Sequence, residues 1–398
     1  MTALPQIKTD VLIIGAGPSG LSLARVLATS GLKITLIEKN PESLLQDPPF
    51  DGRDIALTHY SREVMQELGM WQHIPQQDIY RLRDAKVVNG VSDYQLHFPQ
   101  PDTARGKPAD SLGFLVSNHN IRKAAYASIQ GYSNITLMCE HTATDVKTTK
   151  EHAYATLDNG QIIEARLLVA ADSRLSQVRN QLGISADIHD FGRTVIVFRV
   201  KHTISNNHSA FECFHYGRTL ALLPLEAHLT NCVITINNDK AAELLKLSPE
   251  DLARDVEQQL NGHLGSLSMC STIHHYPLVG VHANAFYTQR AALIGDAAVG
   301  MHPVTAHGFN LGLQSAVLLG ERVIKAHQQG KSIASHNLLA QYQQKHILHT
   351  RLMYHGTNAI VSLFTNDTPY ARAFRSMVIR ASDHLPPLKN LIIRQLTG

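Results

Sequence analysis

A glycine-rich turn near the start of the chain constrains the fold more than any other feature. Residues 15–20 read Gly-Ala-Gly-Pro-Ser-Gly, directly after a short apolar run and at the start of a helical pattern. In a β-α-β unit, Gly15 permits the tight turn, Gly17 lets the backbone approach a pyrophosphate, and Gly20 lets helix and strand pack closely. Glu38 ends the next predicted strand, where it can accept hydrogen bonds from a ribose. We therefore predict a dinucleotide site, and the acid favours FAD or NAD over NADP.

The hydrophobic pattern predicts two kinds of sheet. Buried parallel strands are indicated by short apolar runs at 10–14, 33–37, 167–171 and 291–294. The region 190–236 instead contains strand-like runs separated by polar turns, which predicts an antiparallel sheet inserted into the first domain. Further strands are predicted at 85–88, 94–98, 135–138, 154–157 and 162–165, a loop at 99–111, and helices at 19–30, 61–68, 118–129, 249–260 and 308–324.

The composition excludes several classes of protein. The 398 residues carry 36 Lys and Arg against 33 Asp and Glu, a net charge of +3, which does not indicate nucleic-acid binding. The 4 cysteines lie far apart without a CxxC pair, which argues against a disulfide scaffold and a zinc site. No apolar run approaches the roughly twenty residues that span a bilayer. Residues 1–9 are too short and polar for a signal peptide. We expect a cytoplasmic protein, with peripheral contact with the inner membrane left open.

Two further segments place carboxylates directly after predicted parallel strands. The segment 171–179 begins with Ala-Asp, and the pair Gly-Asp at 295–296 precedes Pro303 and the run Gly-Phe-Asn-Leu-Gly-Leu at 308–313. A carboxylate in such a position can bind sugar hydroxyl groups, and a following helix N-terminus offers free N–H groups to an anionic ring system. Taken alone, each segment is better explained as an Asx turn or a helix cap.

Taken together, the three segments resemble the fingerprints of class A FAD-dependent aromatic hydroxylases, the para-hydroxybenzoate-hydroxylase-like flavoproteins. The segment 171–179 resembles the A-D-G-x-x-S-x-x-R motif of that family, and 295–296 resembles its G-D motif, whose aspartate binds the FAD ribityl chain. Arg53, in Asp-Gly-Arg, matches the family arginine near the flavin. The resemblance implies that FAD is bound by Gly15, Gly17, Ser19, Gly20, Glu38, Lys39, Arg53, Arg122, Asp172, Asp296, Pro303, Gly308, Phe309 and Asn310. The catalytic candidates are Arg53 and His307. For His307, the alternative interpretation is a packing role.

A closer resemblance, to the ubiquinone-biosynthesis hydroxylases, spans essentially the whole chain. It rests on the segments DGRDIAL at 51–57, LGFLV at 112–116, AFECF at 210–214, LALLPL at 220–225, and His302-Pro303 with 308–313. The departures from the usual family pattern are Ser173 for Gly, Val299 for His or Gln, Ala306-His307-Gly308 for Gly-Gln-Gly, and Ser315 for Asp. These departures resemble a subgroup with broader selectivity for ring positions.

The resemblance and the hydrophobic pattern imply the same α/β architecture. An FAD domain with a parallel sheet is expected to carry an inserted antiparallel sheet, which roofs the substrate pocket, and a helical C-terminal region. The FAD domain should be discontinuous, because its last motif follows the inserted sheet. The expected boundaries are 1–80, 100–180 and 275–330 for the FAD domain, 81–99 and 181–274 for the substrate domain, and 331–398 for the helical region.

The implied reaction is hydroxylation of the aromatic ring of a polyprenylated phenol or benzoquinol in ubiquinone biosynthesis, through a flavin C4a-hydroperoxide. No second GxGxxG occurs, so NAD(P)H or another donor is expected to reduce the flavin transiently. The expected partners are the lipophilic phenol or quinol, O2, and either proteins of a quinone-biosynthesis complex or a membrane surface. An apolar channel for the isoprenoid tail is expected between 190–236 and 299–307.

Three alternatives stay open from the residues alone. One is a flavin hydroxylase of a small soluble phenol, with a closed pocket. Another is a reductase-type or halogenase-type flavoprotein of the same fold. The third is a flavoprotein retained as a scaffold, against which the presence of Arg53, Asp172 and Asp296 argues.

Overall fold

The computed structural model describes residues 6–89, 95–215, 217–301 and 307–365. The strands are β1 (Ile7–Ile14), β2 (Ile34–Ile37), β3 (Asp54–Leu57), β4 (Ile79–Leu82), β5 (Asp84–Asn89), β6 (Gln95–Phe98), β7 (Thr103–Ala104), β8 (Lys107–Pro108), β9 (Gly113–Ser117), β10 (Ile135–Met138), β11 (Ala143–Thr148), β12 (Ala153–Leu157), β13 (Ile162–Ala170), β14 (Ala186–His202), β15 (Ser209–His215), β16 (Arg218–Pro224), β17 (Leu229–Asn237), β18 (Leu267–Met269), β19 (His274–Ala283), β20 (Tyr287–Thr288), β21 (Ala291–Leu293) and β22 (Val299–Gly300). The helices are α1 (Pro18–Leu27), α2 (Ser43–Gln46), α3 (His59–Glu67), α4 (Asn118–Ser128), α5 (Gln177–Gln181), α6 (Asn238–Leu244), α7 (Pro249–Gln259), α8 (His307–Gln328) and α9 (His336–Thr365).

The first sheet contains the β-α-β unit predicted at the N-terminus. Its main order is β10-β2-β1-β13-β12-β11, with β21 beside β13 and β20 beside β21. The strand β1 runs parallel to β2 and β13, and β13 runs parallel to β21, which confirms the four predicted parallel strands. The strands predicted at 162–165 and 167–171 are one strand, β13. Its first half pairs antiparallel with β12, and its second half pairs parallel with β21.

The core of this layer lies between the parallel strands and the helices α1, α4 and α8. The strand β1 is apolar and inaccessible over Val11, Leu12 and Ile13, as expected for a strand covered on both faces. In α1, Leu21, Ala24 and Leu27 recur at helical spacing and belong to the same core. The close packing of α1 against α8 brings the N-terminal turn next to the segment that follows β21.

The second sheet has the order β22-β19-β14-β17-β16-β15-β5-β6, with β18 beside β14. It is antiparallel in β14, β15, β16 and β17, which confirms the antiparallel sheet predicted at 190–236. The strand β14 is 17 residues long, and its pairing with β19 is interrupted between Asp190 and Thr194. One face of the sheet packs on α6 and α7 through buried residues such as Phe198, Ile234 and Val256.

A small third sheet, in the order β3-β9-β4, lies next to the loop that contains Arg53. The strand β9 was not predicted, although all five of its residues are buried. The predicted loop 99–111 was wrong in part, because β7 and β8 form a two-stranded hairpin within it. Short strands of two residues carry too little periodicity to be recognised in a sequence.

The C-terminal part of the described chain is helical, as predicted, and consists of α8 and α9. Residues 366–398 of the predicted helical region lie outside the described residues. Within the described part of the chain, no helix is both long and apolar enough to cross a bilayer. The domain boundaries given above stay a prediction.

The glycine turn generates a test of the fold. A Cβ atom built on Gly20 lies 2.0 Å from the carbonyl oxygen of Gly15, so Gly20→Ala forces α1 away from the turn. We expect the free energy of unfolding to fall by about 1–3 kcal/mol, the usual cost of overpacking. The control is Gly356→Ala in α9, where a Cβ meets nothing within 4 Å. Thermal unfolding should show no loss for the control, because alanine is favoured over glycine in helices. Equal melting temperatures for both variants would contradict the proposed packing.

Candidate cofactor and active site

The glycine turn is built to approach an anion. Gly15 has φ +107°, and its N–H donates to the carbonyl of Ile37 at 2.8 Å. A Cβ on Gly15 would lie 2.4 Å from the carbonyl oxygen of Ala171, so no other residue fits there. Gly17 precedes α1 and has no side chain to cap the helix, and a Cβ on it meets nothing within 4 Å. The N–H groups of the first turn of α1 therefore face open space that an anionic group can enter.

Glu38 lies beside this turn and is 8% exposed. Its Oε2 accepts a hydrogen bond from the backbone N–H of Ala16 at 3.0 Å, and its Oε1 accepts from the backbone and side chain of Asn40 at 3.0 and 2.7 Å. These bonds fix the carboxylate at the end of β2. An ionised carboxylate offers about four lone-pair positions, so one position stays free for a sugar hydroxyl. Lys39, which follows, is exposed.

Ser19 lies between the first and the third motif. A Cβ on either Gly295 or Gly312 would come within 2.5 Å of the Ser19 hydroxyl oxygen. The two glycines therefore let α1 approach both the turn after β21 and the helix α8. In this arrangement Ser19 is a packing residue, and its predicted contact with a cofactor stays a prediction.

Arg53 belongs to a cluster of polar groups on the loop before β3. Its Nε and Nη2 donate to Asp51 Oδ2 at 3.0 and 2.5 Å, and its guanidinium lies 5.2 Å from the centre of the Tyr276 ring. Asp51 Oδ2 also accepts from the amide of Asn118 at 2.7 Å. The hydroxyl of Tyr276 donates to the backbone carbonyl of Asp51. The loop is thus held from α4 on one side and from β19 on the other.

The pKa values in this cluster keep it charged. Burial acts to raise the pKa of Asp51, but the hydrogen bonds and charge of Arg53 outweigh it, so the pKa is lowered. Burial acts to lower the pKa of Arg53, but Asp51, Tyr276 and Asp296 together raise it. Burial lowers the pKa of Arg122, which lies on α4. The charges of Asp51 and Glu38 oppose that shift, and the charge of Arg53 adds to it. The structure therefore brings Arg122 within electrostatic reach of Arg53 and Glu38, and Arg53 within electrostatic reach of Asp296.

The second motif meets the third through Arg174, which the sequence analysis did not single out. Its Nη1 donates to the carbonyl of Val279 at 2.7 Å, and its Nη2 donates to Asp296 Oδ2 at 3.2 Å. A Cβ on Gly300 would lie 2.5 Å from Arg174 Nε, so the arginine crosses over this glycine. The side chain of Asp296 is 43% exposed and can take further hydrogen bonds. The sequence signal for Arg174 was its position inside the motif at 171–179.

Asp172 and Arg179 stabilise the turn after β13. Asp172 Oδ1 accepts from the hydroxyl of Ser176 at 2.6 Å, and Ser176 in turn caps α5 by accepting from the N–H of Arg179. Arg179 is 1% exposed and donates to the carbonyls of Arg174 and Ala297. Burial lowers the pKa of Arg179, and the charge of Asp172 opposes this shift. The motif therefore ties the strand end of β13 to the turn that carries Asp296.

The start of α8 is fixed by Asn310. Its Oδ1 accepts from the N–H of Thr58 at 3.2 Å, and its Nδ2 donates to the carbonyl of Ala56 at 2.9 Å. Phe309 packs on the core, and a Cβ on Gly308 meets nothing within 4 Å. Pro303, with the rest of 302–306, lies outside the described residues, and so does the side chain of His307. The part of the predicted channel at 302–306 is outside them as well.

Two polar residues of the second sheet, missed in the sequence, contact the loop of Arg53. Asp54, whose side chain is inaccessible, accepts from Arg199 Nη2 at 2.8 and 3.1 Å and from Asn231 Nδ2 at 2.7 Å. Asn231 Nδ2 also donates to the carbonyl of Gly52 at 2.8 Å. Burial raises the pKa of Asp54, and Arg199 and Asn231 oppose that shift. The signal was a single charged residue, Arg199, within the apolar run 195–200.

The residues present fit FAD. An open helix N-terminus, an acid beside it and a second acid in the turn after β21 match the chemistry of a pyrophosphate, a ribose and a ribityl chain in turn. Among the described residues, no group of three or more His, Cys, Asp or Glu residues is arranged to hold a metal ion.

Comparison with known proteins gives the same class. The family described as FAD binding domain matches residues 8–355, and the chain belongs to this family. The chain is 59% identical over 393 residues to the ubiquinone hydroxylase UbiM of Neisseria meningitidis, covering 99% of this chain and 85% of that protein. It is 33% identical to the ubiquinone hydroxylase UbiL of Rhodospirillum rubrum, covering 98% and 89%. It is also 24% identical to 3-demethoxyubiquinol 3-hydroxylase of Escherichia coli, covering 98% of each.

Solved structures support the fold. The chain resembles p-nitrophenol 4-monooxygenase PnpA of Pseudomonas putida with a TM-score of 0.75 and 16% identity, covering 99% of each chain. It resembles PqsL of Pseudomonas aeruginosa, solved with 2-aminobenzoylacetate, with a TM-score of 0.77 and 18% identity, covering 92% of this chain and 100% of that one. The predicted architecture, a para-hydroxybenzoate-hydroxylase-like α/β fold, is confirmed.

The open space at Gly17 generates a test of cofactor binding. The variant Gly17→Val places a side chain where a pyrophosphate approaches the helix, at a position where a Cβ meets no protein atom within 4 Å. We expect the purified wild type to be yellow with non-covalent FAD, and the variant to fold but to lose most of its flavin. The measurement is flavin absorbance per protein after heat release, together with circular dichroism. A folded variant with the flavin content of the wild type would contradict this assignment.

Asp296 gives a second test at the other end of the cofactor. Replacing it with alanine removes charge-assisted hydrogen bonds worth roughly 1.5–3 kcal/mol, so FAD should bind about one to two orders of magnitude more weakly. The matched control is Asp110→Ala, which breaks an exposed pair with Arg81 elsewhere on the surface. Affinity is measured by titrating apoprotein with FAD. An affinity within twofold of the wild type in the Asp296 variant would show that the role is wrong.

Proposed function

We propose that this protein is an FAD-dependent monooxygenase that hydroxylates the aromatic ring of a polyprenylated phenol or quinol in ubiquinone biosynthesis. The observation that carries the proposal is the 59% identity to a ubiquinone hydroxylase over 99% of the chain. The open N-terminus of α1 and the fixed Glu38 and Asp296 support it, because they supply what FAD requires. The alternatives of a reductase or a halogenase are not favoured by the relatives.

The residues of the chain take the following roles in this proposal. Gly15, Gly17 and Gly20 admit the pyrophosphate, and Glu38 with Lys39 and Arg122 binds the adenosine half. Asp296 binds the ribityl chain, and Asp172 holds the turn that supports it through Ser176. The start of α8, with Gly308, Phe309 and Asn310, faces the flavin ring, where the helix dipole stabilises negative charge. Pro303 and His307 belong to the same segment, and Arg53 lies at the flavin edge.

The cofactor supplies the activation of O2, and the protein supplies orientation and the exclusion of water. An apolar cluster with Val195, Val197 and Val233 covers the face of the second sheet that carries Arg199 and Asn231. Such a surface can hold an aromatic ring in one orientation while it excludes water from the ring. The Arg53–Asp51 pair at its edge stays charged, so it can stabilise negative charge on a bound group.

The electron donor, the location and the partners follow from the same proposal. NAD(P)H or another donor reduces the flavin transiently, and O2 is the second substrate. The lipophilic substrate reaches the site from the inner membrane or from a protein of a quinone-biosynthesis complex, because each buried CH2 group of the tail disfavours transfer through water by about 0.8 kcal/mol. We therefore place the protein in the cytoplasm, in peripheral contact with that membrane.

The test is product analysis in a bacterial host that lacks its own ubiquinone hydroxylases. Expression of this chain should restore hydroxylated quinone intermediates, and the intermediates that still accumulate identify which ring carbons are attacked. The Gly17→Val variant serves as the control without flavin. In vitro, short-chain prenylphenols should be preferred over 4-hydroxybenzoate in oxygen uptake. A preference for the tail-free acid would contradict the quinone pathway while leaving a phenol hydroxylase.

A further inference from the structure

Glu212 is a carboxylic acid in the wall of the second sheet. It lies in the middle of β15, where its cross-strand neighbours are Ala221 on β16 and Val87 on β5. Phe214, two residues further along the strand, is buried in an apolar cluster that includes Val87. Nothing in the cofactor site described above uses this acid.

The register of the sheet shows which face carries Glu212. Residues paired across strands share a face, and alternate residues along one strand share it too. Ala221, which pairs with Glu212, also pairs with Val233 on β17. Val233 shares its face with Asn231, two residues before it, and Asn231 pairs with Arg199. Glu212 therefore lies on the face that contacts the loop of Arg53, and not on the face covered by α6 and α7.

The distance along this face suits one aromatic ring. Two strand spacings of about 4.8 Å separate the backbone of Glu212 from β17, which gives about 10 Å. The loop at Gly52 is hydrogen-bonded to Asn231 at the far side of that distance. The residues between them in the same cross-strand row are apolar, Ala221 and Val233.

One oxygen of the Glu212 carboxyl group lacks a hydrogen-bond partner among the described residues. This oxygen, Oε1, is shielded from solvent. Burial raises the pKa of Glu212 to about 8. A buried polar atom without a partner is destabilising, and such atoms recur where a ligand completes the bonding. A ligand that offers an O–H group to this wall would supply the missing partner.

We propose that Glu212 is the catalytic residue that binds the phenolic hydroxyl of the substrate and accepts its proton. This inference rests on the proposed function, which supplies the phenol. In the step, the phenolic O–H bond breaks, the proton passes to a carboxylate oxygen of Glu212, and the bonding pair stays on the phenol oxygen. The ring becomes more electron-rich at the carbons that receive oxygen.

The acidity of Glu212 matches this task. A phenol has an ordinary pKa of about 10, so an ordinary glutamate near 4.3 is too weak a base. A general base works best when its pKa lies near the working pH. The shifted pKa of about 8 brings Glu212 within about two units of the phenol. Because the reactive form is the carboxylate, the step should accelerate as the pH rises through about 8.

Other titratable or charged groups lie on this face or against it. Tyr276 and Tyr80 have pKa values raised by burial, so they stay neutral in this range. Arg199 is held by Asp54, and His274 contacts Thr272. The titratable or charged groups on this face of the described sheet, or on the loop and strands against it, include Asp51, Arg53, Asp54, Tyr80, Arg81, Arg193, Arg199, Lys201, His274 and Tyr276. Burial is the sole cause of the shift at Glu212.

The test compares the wild type with Glu212→Gln and with Glu243→Gln, a control on the exposed side of α6. First, flavin absorbance is used to measure the binding of a short-chain prenylphenol and of its O-methyl ether to the oxidised holoenzyme at pH 8.5. The wild type and the control should prefer the phenol about tenfold or more, as a charge-assisted hydrogen bond implies. Glu212→Gln should lose most of that preference.

Second, kcat/KM for hydroxylation is measured from pH 6 to 9. The wild type should show a rise with an apparent pKa near 8, which Glu212→Gln should lack together with about 100-fold or more of its kcat. A more acidic fluorinated phenol should narrow that deficit, since it ionises without a base. A structural role alone would not produce this rescue. Wild-type kcat and pH dependence in Glu212→Gln would overturn the proposal.

The design separates the two hypotheses. If the wild type makes no hydroxylated product, the proposed function fails, and the binding preference alone decides the contact of Glu212. If Glu212→Gln does not fold, the binding preference and the pH profile of the wild type still test the proposal. Equal binding of phenol and ether, or a flat profile through pH 8, overturns the proposal, and preference for the phenol with a rise near pH 8 supports it.

Discussion

One buried carboxylate, Asp54, holds the two layers of the site together. It accepts hydrogen bonds from Arg199 and Asn231 of the second sheet, although it begins the small strand β3 next to the loop that contains Arg53. Removing one partner from a buried ion pair commonly costs about 3–5 kcal/mol, because the other charge is left without compensation. The pairing therefore fixes the loop against the sheet. Arg53, the residue before Asp54, takes its position over Tyr276 from this constraint.

The fold could be predicted from the sequence where one short pattern has one physical meaning. The runs at 10–14 and 33–37 are apolar and lie around a glycine turn, which leaves a parallel strand as their main interpretation. The strand β9 was missed, because its five buried residues show no alternation. The strand β14 was predicted only at 195–200, since its first half is partly exposed and is interrupted after Asp190. Pairing with β19 extends this strand, and that information is not local.

The site could be predicted only where its residues belong to a motif. Glu38 and Asp296 follow strands at fixed positions, and the structure places Glu38 beside the N-terminus of α1 and Asp296 in the turn after β21. Arg174 is different, because its role depends on Gly300, which lies 126 residues further along the chain and has no side chain to block the guanidinium. Arg199 and Asn231 lie on two neighbouring strands, β14 and β17, and the loop that faces them is known only from the fold. A sequence shows such residues as polar exceptions in apolar runs, but it does not show what they contact.

The two acids on the same side of the second sheet differ in what satisfies them. Asp54 is buried among groups of this chain that complete its hydrogen bonds, so its charge serves the structure. Glu212 lies on an apolar wall in which its direct neighbours, Ala221 and Val87, offer no hydrogen bond from their side chains. A wall that excludes water must satisfy its polar groups internally or leave them to a ligand. Among the described residues, Arg199 on β14 and Asn231 on β17 bond to the loop of Arg53 and to Asp54, whereas Glu212 Oε1 on β15 has no hydrogen-bond partner. The chemistry of the face is therefore expected at β15, where an incoming hydroxyl group completes what the fold leaves incomplete.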